Sequence, residues 1–265
     1  MHIDGNTRVY AVIGDPVTAV RSPEWFNTLF DRNGVNAVLI ALQVKRGDLA
    51  AAFAGLKTIG NLDGLVVTMP HKNAMCELLD ELGPAARTIG AVNAVRRMPD
   101  GRWQGDMFDG RGCVRGLLDQ GHEVAGRRIF MLGTGAAGSA VAFALAEAGV
   151  KQLMIDDVDE SRSARVAQRV KQVFPGVDVC TGKLDSGAAP DLVINATPLG
   201  MKPDDPLPFD PAALPATTLV VDIITKPVVT PLLERARSCG LRIHSGNHMH
   251  AGQAVEAARF FGLKI

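Results

Sequence analysis

The sequence is short of the features that mark most specialised protein classes. It has no excess of one charge: 28 basic residues balance 28 acidic ones. No block of like charge stands out, which argues against a nucleic-acid surface or an anionic-membrane patch. No apolar run is long enough to span a bilayer. The opening Met1-His2-Ile3-Asp4-Gly5-Asn6 has neither the charge nor the apolar core of a signal peptide. Cysteine is scarce and scattered, at Cys76, Cys113, Cys180 and Cys239, with no C-x-x-C and no histidine at metal-ligand spacing. The four read as reduced cytoplasmic thiols, mostly buried. His71, His244, His248 and His250 lack cysteine partners, so no metal is expected, and His248 and His250 read as solvated. Internal repeats and low-complexity segments are also missing. What is left, 47% hydrophobic and 21% charged residues over 265 positions, describes a soluble, enzyme-sized chain with one large core or two small ones.

The most informative stretch runs from Arg128 to Gly149. An apolar run, Ile129 to Leu132, breaks at Gly133 and passes into an Ala-rich segment suited to a helix packed closely on a sheet. Gly133, Gly135 and Gly138 make G-x-G-x-x-G at the turn. In a dinucleotide site the first allows the tight turn, the second lets the backbone approach a pyrophosphate, and the third lets the helix lie close to the strand. Free N–H groups at the helix start, on Ala136 and Ala137, would face that pyrophosphate. Such turns also occur without a ligand. The context strengthens the dinucleotide reading: Leu153-Met154-Ile155 follows and ends in Asp156-Asp157, placing a carboxylate about 20 residues on, where ribose hydroxyls are taken.

The first third alternates strand and helix. Strands are predicted at Val9–Ile13, Ala37–Val44 and Leu62–Val67. Helices are predicted from Ser22, read as an N-cap before Pro23, over Leu49–Ile59, and over Lys72–Leu82. Ala91–Arg96 and Arg102–Gln104 flank Pro99-Asp100-Gly101 as a hairpin. Asp109–Leu118 is predicted helical. The second unit then reads as strand 128–132, helix 136–148, strand 152–156, helix 160–173, short strands near 177–180, 191–195 and 218–222, helix 232–238, an extended 241–244 and a helical tail over 249–261. The expected fold is α/β: a substrate-binding domain formed by residues 1–106 and 245–265, and a Rossmann-type doubly wound domain formed by residues 107–244.

In open α/β sheets ligands sit beyond the carboxyl ends of the strands. Lys72 is the notable cation there. It follows a strongly apolar strand, where partial desolvation eases loss of a proton and a carboxylate can orient it; a solvated Lys is the plainer alternative. Gly14-Asp15-Pro16-Val17 with Ser22-Pro23, Val66 to Lys72, Gly90-Ala91-Val92-Asn93, Asp109-Gly110, Gly133 to Gly138, Asn195 to Met201 and the Gln253 segment together resemble the shikimate dehydrogenase family, across nearly the whole chain and in order. The resemblance implies interconversion of shikimate, or quinate, and its 3-dehydro form with NAD or NADP. It implies Lys72 and Asp109 as an acid–base dyad, and Ser22, Thr68, Asn93 and Gln253 as substrate contacts. It places Asn195, Thr197 and Pro198 with the glycine turn and Asp157 on the cofactor. Three of these residues also have a bland role: Asn93 a strand-end turn, Asp109 an N-cap, Gln253 a surface amide.

Three departures from the family pattern affect the substrate shell. Val20 stands where a serine is usual, Met107-Phe108 replace Asn-Thr ahead of Asp109-Gly110, and Thr225 replaces a frequent Tyr. Fewer polar groups favour a less hydroxylated or bulkier ring; Arg21 is either a replacement carboxylate contact or a solvated loop residue. Asp156-Asp157-Val158-Asp159-Glu160-Ser161-Arg162 stands where NADP users of the family tend to have Asn-Arg-Thr. A carboxylate there accepts from ribose hydroxyls and repels a 2′-phosphate, which favours NAD, while Arg162 and Arg165 leave NADP open. Two alternatives stand beside the shikimate reading: a paralogue for a different cyclic hydroxy acid, and a non-catalytic cofactor or metabolite sensor. A monomer or homodimer is expected.

Overall fold

A computed structural model of the chain describes residues 2–18, 20–184, 189–202 and 204–264. It divides into two compact units, Met1–Phe108 with Ala254–Ile265, and Asp109–Gln253.

In the first unit the elements are β1 (Arg8–Gly14), α1 (Ser22–Arg32), β2 (Ala37–Gln43), α2 (Leu49–Lys57), β3 (Leu62–Val67), β4 (Glu81–Leu82), α3 (Pro84–Ile89), β5 (Ala94–Arg97) and β6 (Trp103–Asp106). Among the described residues these strands form one sheet in the order β2-β1-β3-β5-β6-β4. β1 is parallel to β2 and β3, whereas β5 runs antiparallel to β3 and β6. The sheet is therefore mixed, and the hairpin expected around Gly101 supplies one of its two antiparallel pairings, β5 with β6. Side chains of β1 alternate between two cores, as period-two geometry requires. Tyr10 and Val12 join Phe26 and Phe30 of α1 and the terminal Ala254, Ala257 and Ala258. Ala11 and Ile13 join Leu49 and Phe53 of α2, Met75 and Trp103. Each buried Phe contributes about 1.5–3 kcal/mol by leaving water, so both faces are covered.

Two sequence expectations fail in this unit, and one helix had no expectation at all. Lys72–Leu82 is not a helix: only Ala74–Leu78 forms a short 3-10 turn, and Glu81–Leu82 pairs with β6. The competing partners are distant in sequence, since the Asp80 N–H donates to the Trp103 carbonyl at 3.0 Å and the Gly83 N–H to the Gly105 carbonyl at 2.7 Å. Tertiary pairing thus overrides an apolar pattern that fits a helix. α3 was not anticipated. Pro84 opens it, and the buried Asp106 caps it, with Oδ1 accepting from the Ala86 N–H at 2.8 Å and the Met107 N–H at 2.9 Å. Ser22 does not cap α1: Arg21 holds the cap position and Ser22 is the first helical residue, buried. Because both N–H groups it serves are buried, Asp106→Ala is expected to cost about 1–3 kcal/mol, seen as a lower urea midpoint with unchanged slope.

The second unit comprises α4 (Asp109–Asp119), β7 (Arg128–Leu132), α5 (Ala136–Glu147), β8 (Gln152–Asp156), α6 (Glu160–Val173), β9 (Asp178–Thr181), β10 (Leu192–Asn195), β11 (Leu219–Asp222), α7 (Pro231–Ser238) and β12 (Arg242–Ser245). α8 (Gly246–Phe260) starts here and ends in residues of the first unit. The strand order β12-β11-β10-β7-β8-β9 is parallel throughout. Counted from β7, this is the doubly wound order whose direction reverses between β7 and β10. All four residues of β10 and of β11 are buried, which explains why each is apolar up to its last residue, Asn195 or Asp222.

Candidate active site

The glycine turn sits at that reversal, and its three glycines face different surroundings. Gly133 has φ +100°, and a side chain there would meet the Ala196 carbonyl carbon at 2.7 Å. A side chain on Gly138 would strike the Gly133 carbonyl. Gly135 is the cap residue of α5, and nothing lies within 4 Å of where its Cβ would stand. So Gly133 and Gly138 are needed for chain packing, whereas Gly135 leaves open space beside the first turn of α5. The N–H groups of Ala136 and Ala137 have no acceptor within the helix there. This arrangement fits a dinucleotide pyrophosphate.

The neighbouring strand ends complete that surface. Asp157, 7% exposed, accepts from the Thr134 N–H at 2.6 Å and hydroxyl at 2.7 Å on Oδ2, and from the Asp159 N–H at 2.9 Å on Oδ1. Burial alone would raise its pKa, but these bonds, with the Arg162 charge, outweigh it and hold the carboxyl below its ordinary value. Asp157 is thus anionic and locked to the glycine turn. Asp159 caps α6 through the Arg162 N–H, and the Arg162 guanidinium lies 3.5 Å from the Asp159 carboxylate. Asn195, fully buried, holds the next loop: its Oδ1 accepts from the Thr197 hydroxyl at 2.7 Å and N–H at 3.1 Å, and its Nδ2 donates to the Leu199 carbonyl at 3.1 Å. Ala196 and Thr197 lie against Gly133, so Gly133–Gly138, Asp157 and Asn195–Pro198 come together on one end of the sheet. Buried Asp222 supports this end; its pKa is raised by burial, against which the Thr230 hydroxyl, the Ile224 N–H and Asn195 act.

In the first unit Thr68, Lys72 and Asn93 are joined through the backbone at the end of β3. The Thr68 N–H donates to the Ile13 carbonyl at 3.0 Å, the Val92 N–H to the Lys72 carbonyl at 2.9 Å, and the Val67 N–H to the Asn93 carbonyl at 2.8 Å. Lys72 is half-buried and Thr68 likewise. Asn93 is 1% exposed, and its Oδ1 accepts from the Phe108 N–H at 2.8 Å, which fixes the orientation of its amide. The Asp15–Pro16 and Met69–Pro70 peptides, at the ends of β1 and β3, are both cis. Val20 packs on the apolar cluster of Phe26 and Phe30, and Met107 is buried. Arg21 is engaged by Glu24 at 3.0 Å.

In the second unit Asp109 is the first residue of α4, 3% exposed. Its charge and burial push the adjacent Cys113 thiol up to about 12, burial being the larger cause, so that thiol is unreactive. Only Cys113 is buried; Cys76, Cys180 and Cys239 are half-buried, fewer than expected. Gly112, one turn after Asp109, lies against the Gln253 backbone, where a Cβ would come within 2.6 Å of the Gln253 nitrogen. The missing side chain on Gly112 therefore lets α4 and α8 approach closely, bringing the Asp109 turn beside Gln253.

His248 and His250 are half-buried rather than solvated. His244 packs between His122, with centroids 5.4 Å apart, and His248, 4.7 Å apart. Burial, then His248 and His122, push the His244 imidazole down to about 3, and burial with Arg242 and His248 lowers His122. The unfolded chain binds these protons near the ordinary value of about 6.5, the native fold only at lower pH. Stability is therefore expected to fall as pH drops below about 6.5, by up to about 3 kcal/mol at pH 4 from His244. Melting temperatures across pH 4–8 check this, and His244→Phe should flatten the profile. Among the described residues no group of three His, Cys, Asp or Glu could hold a metal ion, and no helix is long and apolar enough to cross a membrane.

Comparison with known proteins gives the family. Residues 12–95 match the model of the shikimate dehydrogenase substrate binding domain. A shikimate dehydrogenase (NADP(+)) of Rubrobacter xylanophilus is 37% identical over 260 residues, 97% of this chain and 91% of that protein. Among solved structures, shikimate dehydrogenase from Aquifex aeolicus superposes with a TM-score of 0.89 at 31% identity, covering 100% of this chain and 96% of that one. A shikimate 5-dehydrogenase from Listeria monocytogenes in complex with shikimate and NAD has a TM-score of 0.87 at 28% identity, covering 99% and 94%. With this identity held along almost its full length, the chain belongs to the shikimate dehydrogenase family.

Proposed function

We propose that this protein is an NAD(P)-dependent dehydrogenase that interconverts shikimate, or quinate, and its 3-dehydro form. The observation that carries the reading is the open, acceptor-free first turn of α5 at Gly133–Gly138; a half-buried Lys72 in the first unit and a buried Asp109 in the second support it. The bound nicotinamide supplies the hydride acceptor or donor. Lys72 takes the hydroxyl proton as the carbinol is oxidised and returns it in reduction. Asp109 orients that proton transfer and shares the hydroxyl. Asn93 and Gln253 bind ring hydroxyls, Thr68 lines the same strand end, and Ser22 holds the ring carboxylate. Ala136 and Ala137 offer N–H groups to the pyrophosphate, and Asn195, through its bonds to Thr197, shapes the loop with Pro198. The protein acts in the cytoplasm as a monomer or homodimer, with residues 1–106 and 245–265 as the substrate part and 107–244 as the cofactor part.

A second reading has its own support. Val20 and Met107 are packed in apolar surroundings and offer no hydroxyl or amide to a polyhydroxy acid. A paralogue acting on a less hydroxylated cyclic acid fits them, because an absent hydrogen-bond partner weakens discrimination for the matching hydroxyl. The test is initial-rate absorbance of reduced cofactor with shikimate or quinate and NAD or NADP. Turnover in any pairing supports the first reading. Dinucleotide binding without turnover in all four points to the second reading.

A further inference from the structure

The imidazole beside Lys72 has no part in the chemistry above, yet it is the most completely enclosed polar side chain of that turn. His71 is 0% exposed. Its Nε2 lies 2.6 Å from the Val44 carbonyl. A carbonyl only accepts, so Nε2 carries the proton and donates. Nδ1 is then a lone pair, buried and without a partner among the described residues. A phenyl ring would fill the same space and strand no nitrogen. What the imidazole adds is therefore the single bond to Val44.

That bond spans two strand ends. Val44 follows β2 and donates its own N–H to the Gly14 carbonyl at 3.0 Å, at the end of β1. The His71 N–H donates to the Thr68 carbonyl at 2.9 Å, and the His71 carbonyl accepts from the Met75 N–H at 2.9 Å. The Lys72 carbonyl is held from the other side by Val92, next to Asn93. His71 is thus the tie between the Lys72 turn and the β1–β2 edge of the sheet, while Val92 ties it toward β5.

We infer that His71 is a positioning residue for Lys72, acting through its Nε2 bond to the Val44 carbonyl to set where the ammonium stands. The inference rests on the reading of Lys72 as the acid–base group. A misplacement of about 1 Å at a reacting group can cost about a hundredfold in rate. Losing the tie should lower kcat with little change in the KM for dinucleotide.

The test uses the full chain with His71→Phe, His71→Gln and His71→Asn, beside Lys72→Ala. The Gln amide nitrogen reaches the Nε2 position and can still donate to Val44; the Asn amide is too short. His71→Phe is expected to lower kcat about 10–100-fold, to leave the KM for dinucleotide within about twofold, and to move the limb of the pH–rate profile that belongs to the Lys72 proton. His71→Gln should recover most of kcat and return the limb. If His71→Phe does not fold, the Gln/Asn pair decides: Gln at least about fivefold faster than Asn supports the tie, equal rates overturn it. The inference is also overturned if His71→Phe keeps the parent's kcat and pH profile, or if only its melting temperature changes. Turnover retained in Lys72→Ala would instead bring down the reading of Lys72, and this inference with it. An inactive Lys72→Ala beside an unaffected His71→Phe removes the role of His71 alone.

Discussion

Lys72→Ala is expected to lower kcat about 10²–10⁴-fold, the range for loss of a positioned acid–base group, without loss of dinucleotide binding. Oxidation of a carbinol sends a hydride to the cofactor and leaves a hydroxyl proton that must go elsewhere. Lys72 is the cation at the end of a strand whose last four residues are buried, and its main chain is pinned by Val92. Its side chain is half-buried, so truncating it leaves no large cavity, and the melting temperature should move little. The residues proposed to cradle the dinucleotide all belong to the second unit, so cofactor affinity is the internal control. Steady-state kinetics with a fluorescence titration of reduced cofactor separate the two effects. A fall in kcat with intact cofactor binding meets the expectation. Near-parental kcat would assign the proton transfer to another group.

The second large effect concerns cofactor choice. Asp157→Ala is expected to reduce kcat/KM with NAD about 10–100-fold, the value of one or two charge-assisted hydrogen bonds to ribose hydroxyls, and to reduce it much less with NADP. The ratio of NADP to NAD efficiency should therefore rise about tenfold or more. The carboxylate is held anionic by Thr134 and the Asp159 N–H, and an anion there opposes a 2′-phosphate. Arg162 and Arg165 stay on the first turns of α6, available to a phosphate once Asp157 is gone. The two bonds from Thr134 also brace the glycine turn, so both cofactors lose some efficiency. Equal losses with the two cofactors would mean that Asp157 serves the turn alone, and that Arg162 decides the cofactor. The Rubrobacter relative carries NADP(+) in its name and the Listeria structure holds NAD, so the family itself leaves both possibilities open.

Much of the fold was legible because its determinants are local. The strands at 128–132 and 152–156 and the helices starting at 136 and 160 are each marked by an apolar run and a turn residue within a few positions, and the structure has them there. Reading failed where a distant residue decides. The apolar spacing of Lys72–Leu82 suits a helix, but Trp103 and Gly105 accept from the N–H groups of Asp80 and Gly83 and draw the end of the segment into a sheet. α3 depends on a cap from Asp106, 20 residues beyond the N–H it serves. At the glycine turn the reasons for Gly133 and Gly138 could be stated from spacing. That Asp157 would be bound to Thr134 could not, because nothing in a strand-end Asp-Asp tells which way its carboxylate turns. The histidine cluster was also hidden: His122 lies more than a hundred residues from His244 and His248, and in sequence His244 only ends an extended stretch while His248 reads as solvated. His71 likewise gave no signal beyond its place beside Lys72, since its partner Val44 contributes only a carbonyl.

In the proposed reaction a hydride passes between the carbinol carbon of a shikimate-type ring and a nicotinamide held by Gly133–Gly138. Shikimate deuterated at the carbon that becomes the ketone tests it directly, with the reduced cofactor isolated and examined by mass spectrometry and proton NMR. One deuterium on the dihydronicotinamide ring, transferred to a single face and formed about 10²–10⁴-fold more slowly with Lys72→Ala, is the expected result. Reduced cofactor carrying no deuterium, or none formed while the dinucleotide binds, would contradict it.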